Sequence, residues 1–110
     1  MTPVEKPSAL NRARKKKAAA MIAEGEFARQ LKSILVFQDI DKQSADKMDN
    51  SFRPKKTIYA LTGEKLSMKD IVFVIKLKGF NGLYRLFSNY HTACHTNDRG
   101  EPVVVFQRRP

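Results

Sequence analysis

The chain has 110 residues, 42% of them apolar, and sets 21 lysines and arginines against 11 aspartates and glutamates for a net charge of +10. This length fits one domain of ordinary size, and the apolar share supports one modest core, which excludes a chain disordered throughout. A single cysteine, Cys94, excludes an intrachain disulfide and suits a reducing compartment, and no apolar run approaches the ~20 residues needed to span a bilayer.

Residues 1–8, with Pro3 and Pro7 among small polar neighbours, read as a disordered end. From about residue 9 to 37 the good helix formers dominate, with Ser8 able to supply a capping oxygen. Ala20, Ala23, Phe27, Leu31 and Ile34 recur at three- and four-residue steps and make one stripe, with Gly25 a mild flaw inside it. This stripe is a candidate dimer contact through a 20–34 helix if the monomer core does not use it. Before it lies a dense basic cluster, Arg12, Arg14, Lys15, Lys16 and Lys17, with Leu10 the main large apolar neighbour. The cluster is followed by a short Ala run and then Glu24 and Glu26, which is not a secretory signal. Residues 1–19 are therefore expected to form a basic, partly disordered arm, in which the stretch from Arg12 to Lys17 becomes helical when a polyanion neutralises it. Residues 20–110 are expected to form the domain.

Residues 38–56 are a polar connection in which Asp39, Asp41, Asp46 and Asp49 mix with Lys42 and Lys47. A short helix fits 41–48. A second basic knot, Arg53, Lys55 and Lys56, closes the connection around Pro54. Thr57 to Leu61 is rich in β-branched and aromatic residues and stops at Thr62-Gly63, which reads as a short strand.

Ser67 and Asp70 have the spacing of a capping box. The run behind them, Ile71 to Ile75, prefers a strand by propensity. The cap and the clear helix that follows favour a buried helix, with a strand over 71–77 as the alternative. After the glycine-containing turn at 78–82, Leu83, Leu86, Phe87 and Tyr90 fall at i, i+3, i+4 and i+7, the cleanest helical stripe in the chain. Asn97-Asp98-Arg99-Gly100 is a turn, Val103 to Phe106 a strand, and residues 92–96 its hairpin partner.

Helix, strand, helix, tight turn, helix, strand, turn, strand is the order of a small winged-helix-like α+β domain, an analogy of fold only. In such folds the second helix of the pair enters the major groove. Here its outward face carries Asn81, Tyr84, Arg85, Ser88 and Asn89. Arg85 suits guanine, Asn81 or Asn89 suits adenine, and Ser88 and Tyr84 suit phosphates. Arg99 sits at the tip of the hairpin, and Arg108 and Arg109 follow the last strand. Residues 67–110 hold seven basic and three acidic residues, so the excess charge is not confined to the first segment.

A field of this sign draws polyanions. The expected partner is nucleic acid, duplex DNA ahead of RNA, and the expected role a transcriptional regulator or accessory factor without catalysis. One alternative is a viral or mobile-element inhibitor that binds an acidic protein or nucleoprotein surface; another is an RNA-binding protein that uses the arm alone. The chain reads as soluble and intracellular, cytoplasmic or nucleoid-associated, and nuclear in a eukaryotic host. A membrane-surface role is disfavoured because the helix face opposite Lys15 is mostly alanine.

Other chemistry is weakly supported. His91, Cys94 and His95 supply three ligand types where a structural zinc site takes four. The same trio lacks what a cysteine nucleophile needs for activation. The acidic stretch from Asp39 to Asp49 lacks the sixth-position glycine and closing glutamate of a calcium loop. No cofactor, metal or catalytic group is expected.

Overall fold

The computed structural model describes residues 1–110. A two-residue strand β1 (Thr2–Pro3) precedes helix α1 (Pro7–Lys15), strand β2 (Ala20–Glu24) and helix α2 (Gly25–Ile34), which runs into a 3-10 turn at Leu35–Phe37. Helices α3 (Lys42–Asp49), α4 (Pro54–Thr62), α5 (Met68–Lys76) and α6 (Gly79–Asn89) follow, then the hairpin β3 (Tyr90–Thr96) and β4 (Pro102–Arg108). The architecture is α+β, six helices against one four-stranded sheet in the order β1-β2-β4-β3. No helix is long and apolar enough to cross a membrane.

The sheet explains where the core lies. β2 and β4 are antiparallel, with Met21 opposite Phe106 and Ala23 opposite Val104. β4 and β3 are antiparallel, with Thr92 opposite Phe106. Alternate residues of a strand share a face, so Met21, Ala23, Thr92, Val104 and Phe106 form one buried layer beneath the helices. Phe27 of α2 meets Phe73 of α5 edge-on at 5.7 Å between ring centroids, and Phe37 meets Phe80 of α6 at 5.3 Å. Such edge-to-face pairs add ~0.5–1.5 kcal/mol beyond their buried area.

The long helix expected over 9–37 is two helices with a strand between them. α1 ends in a paired closure, in which the Ala18 amide donates to the Ala13 carbonyl and the Lys17 amide to the Arg14 carbonyl. That closure needs a left-handed residue, and Lys17 takes the position at φ 56°. Residues 20–24 then pair with the valine-rich β4. Their helical propensity is overridden because β2 fills the gap between β1 and β4, where Met21 and Ala23 become fully buried. Gly25 opens α2 at φ 63°, so it marks the strand–helix junction.

Two further expectations change with this. The stripe offered for a dimer is used inside the monomer, since Phe27, Leu31 and Ile34 are buried beside Met21 and Ala23. Residues 1–19 also pack into the fold. β1 runs parallel to β2, and Val4, Leu10 and Ala13 belong to the central core.

The strand expected at 57–61 is helix α4. Pro54 occupies its first turn, where a missing amide hydrogen is harmless and the fixed φ favours helix. Only Ile58 of α4 is buried, so no apolar alternation was available to hold a strand. By contrast, α5 forms as expected, started by the Ser67 cap. The Asp70 amide donates to Ser67 Oγ at 3.2 Å, and Ser67 Oγ donates to Asp70 Oδ2 at 2.9 Å. In α6 the stripe Leu83, Leu86 and Phe87 is buried and continues into Tyr90 at the start of β3. The hairpin closes on Asn97, whose side-chain oxygen accepts from the amides of Arg99 and Glu101, both at 2.9 Å.

Candidate nucleic-acid interface

The turn into α6 sets the position of its outer face. Lys78 and Gly79 both have φ 76°, a left-handed pair that reverses the chain between α5 and α6. Asp49, the last residue of α3, closes the start of α6. Its Oδ1 accepts from the Phe80 amide at 2.7 Å and its Oδ2 from the Asn81 amide at 2.9 Å. A Cβ at Gly82 would stand 2.2 Å from the Leu77 carbonyl oxygen, so the helix pair closes only over a glycine there.

α6 then presents Arg85, Ser88 and Asn89 to solvent, at i, i+3 and i+4 on one face. Asn81 lies on the same side but is occupied. Its Nδ2 donates to Asp49 Oδ2 at 2.8 Å, and its Oδ1 accepts from Lys42 Nζ. It braces the start of α6 against α3. Tyr84 is half-buried, packed against the core.

The cationic cluster near the start of the chain meets this helix. Arg14 is half-buried and donates from Nη1 to the Gly82 carbonyl of α6 at 2.8 Å. Burial, and secondly the nearby charge of Arg85, lower its pKa from the ordinary arginine value. The only two ion pairs, Arg29–Glu26 and Lys42–Asp46, lie elsewhere, so neither Arg14 nor Arg85 has a carboxylate partner. Arg14 is thus held, partly desolvated, against α6 at Gly82, three residues before Arg85.

The end of the sheet completes the surface. Tyr90 Oη donates to the Ala18 carbonyl at 2.8 Å, Arg108 Nη1 reaches the Lys17 carbonyl at 3.5 Å, and the Arg109 amide donates to the Asn89 carbonyl at 2.8 Å. These links bring the α1–β2 turn, the end of α6 and the end of β4 together. Arg12, Lys15, Lys16, Lys17, Arg108 and Arg109 are all exposed. Lys17 is notable because it holds a left-handed conformation that costs a non-glycine residue about 1–2 kcal/mol.

Other sequence candidates fall elsewhere. Arg99 is exposed at the hairpin tip, beyond the far ends of β3 and β4, roughly 20 Å from Arg108 at the usual rise of a strand. Arg53 and Lys56 line a shallow groove with Lys47 between α3 and α4, and Lys55 is exposed beside it. Cys94 points to the opposite face of β3 from His91 and His95, because strand side chains alternate, so the three cannot converge on one ion.

Sequence reading missed the scaffold of this surface. Tyr90 read as an apolar stripe residue, and Gly82 as a turn residue with no partner. Neither the hydroxyl contact to Ala18 nor the carbonyl contact to Arg14 has a local signal, since each joins residues about seventy positions apart.

No protein family, characterised protein or solved structure matches this chain.

Proposed function

We propose that the protein binds nucleic acid, duplex DNA ahead of RNA, as a transcriptional regulator or accessory factor without catalytic chemistry. The observation that carries this reading is the juxtaposition of Arg14 with Arg85 on α6, where two arginines share a surface and no carboxylate offsets them. A phosphate seated there would relieve their repulsion and release counterions. Lys15, Lys16, Lys17, Arg108 and Arg109 extend the same surface and would track the backbone.

The fold we propose for this role is winged-helix-like. In chain order, α1, β2, the α5–α6 pair and the β3–β4 hairpin follow that pattern, and β2 pairs with β4. α2, α3 and α4 are additions to it. α6 is then the recognition helix. Arg85 pairs bidentately with guanine, Asn89 with adenine, and Ser88 holds a phosphate. Arg99 touches a separate stretch of backbone at the hairpin tip.

Titration of a labelled mixed-sequence duplex at rising salt tests the reading. If about five phosphates are neutralised, the log–log slope of affinity against salt is about −4 to −5. Arg85→Gln should flatten the slope by ~1. Absence of binding at low salt, or a flat response, rejects nucleic acid as the partner. Stronger binding to RNA of the same sequence rejects the preference for DNA.

A further inference from the structure

α5 carries a second surface. Its inner face, with Ile71, Phe73 and Val74, is buried in the core. Its outer face is also apolar. Met68, Val72 and Ile75 fall at i, i+4 and i+7 and are 55%, 45% and 64% exposed. A helix that is apolar on both sides is normally covered on both. Isolated exposed apolar residues need no explanation, but three on successive turns make a stripe of the kind that marks an interaction site.

The stripe has a groove beside it. Met68, Val72 and Phe73 form one wall, with Pro7 at the start of α1 and Gln30 of α2 opposite. An adjoining hollow runs past Ser8 and Asn11. The cations along these two depressions are Lys6, Lys69, Lys76 and Lys78, and no carboxylate lines either one. The one acid of α5, Asp70, is bonded to Ser67 in its own cap. The site lies at the Pro7 end of α1, whereas Arg14 meets α6 at the other end.

We infer that this surface docks an amphipathic helix of another protein, one with an apolar stripe flanked by glutamates or aspartates. The apolar side chains of such a helix would lie on Met68, Val72 and Ile75, and its acids would meet the lysines at the rim, the helix-in-groove mode of recognition. Charge disfavours a second copy as the occupant. A symmetric pairing of α5 with itself would set Lys69 and Lys76 against their own counterparts on a chain of net charge +10. A lipid surface is disfavoured because the stripe has no aromatic residue and borders a concave groove. The protein would then join a nucleic acid at one end of α1 to a protein at the other.

The probe is a synthetic helical peptide with leucines at i, i+4 and i+7 and glutamates along both flanks, titrated by calorimetry against the full chain. The same peptide with lysines in place of the glutamates is the control. The glutamate peptide should bind and the lysine peptide should not. Val72→Glu should weaken binding by about tenfold or more, as loss of a central anchor does, while its thermal unfolding and its affinity for duplex DNA stay those of the parent. Lys69→Glu with Lys76→Glu should reverse the peptide preference. The inference is overturned if neither peptide binds, if both bind alike, or if Val72→Glu binds as the parent does. It is also overturned if the parent sediments as a dimer that Val72→Glu dissociates, or if it binds phosphatidylserine vesicles through the same residue.

Discussion

Asp49 binds Asn81 twice, and a third bond from the same carboxylate goes to Phe80. One carboxylate oxygen takes both the backbone amide and the side-chain amide of Asn81, while the other takes the amide of Phe80. The first turn of α6 has unpaired donors, as every helix start does. Here the acceptor comes from a different helix, so one residue both caps α6 and fixes it against α3.

Asp49→Ala should therefore destabilise the fold by about 0.5–2 kcal/mol, the range for loss of a helix cap. Asp49→Asn, which keeps one acceptor oxygen, should fall between the parent and the alanine variant. Chemical denaturation of the three proteins measures this. Equal midpoints would mean that water replaces the carboxylate at no cost.

Gly82→Ala should cost more than an ordinary surface change. The new methyl group would stand 2.2 Å from the Leu77 carbonyl oxygen and 2.8 Å from Lys78 Cβ, so the α5–α6 turn must open to admit it. A loss of about 1–3 kcal/mol follows, as for other overpacked sites. Because Arg14 donates to the Gly82 carbonyl, the affinity for duplex DNA should fall together with stability.

Arg85 and Leu86 are adjacent yet should behave oppositely. Arg85 is exposed and Leu86 is fully buried. Arg85→Ala should leave unfolding within about ±0.5 kcal/mol and relax sequence preference at a cost of ~1–3 kcal/mol on the best DNA site. Leu86→Ala should cost ~2–5 kcal/mol of stability by leaving a cavity. Unchanged DNA preference in Arg85→Ala would remove α6 from the reading surface.

Asp41 caps α3 by accepting from the Ser44 amide at 2.6 Å, and that bond lowers its pKa from the usual carboxylate value. A carboxylate depressed in the folded state stabilises the fold above its unfolded pKa, ~3.9. The contribution disappears as pH falls through the lower, folded value. The melting temperature of the parent should thus lose its advantage over Asp41→Asn below about pH 4. An advantage that persists unchanged well below pH 4 would show that the cap does not depend on the charge.

Several elements were legible in the sequence because their causes are local. Ser67 and Asp70 started a helix three residues apart, and they outweighed the strand propensity of Ile71 to Ile75. Leu83, Leu86 and Phe87 marked the inner face of α6 by spacing alone. Asn97 closed the hairpin through its own side chain. Short α3 also formed within the polar connection, where Asp41 supplied its cap. The exposed face of α6 with Arg85, Ser88 and Asn89 followed from the same spacing, and the net positive charge is a matter of composition alone.

Tertiary structure decided the rest, wherever a residue's partner is distant in the chain. Residues 20–24 hold strong helix formers, yet they are a strand because Met21 and Ala23 gain full burial against Phe106 and Val104, more than eighty positions away. Thr57 to Leu61 looks β-rich, yet it is helical because only Ile58 finds a core to enter. The basic arm is part of the domain because Leu10 is buried and Arg14 finds a carbonyl on α6. Asn81 looked free to read bases and is held instead by Asp49 and Lys42. Propensity and capping act over three or four residues, and the sequence states them directly. Burial and charge proximity depend on which distant segments the closed chain brings together, and only the folded molecule sets that.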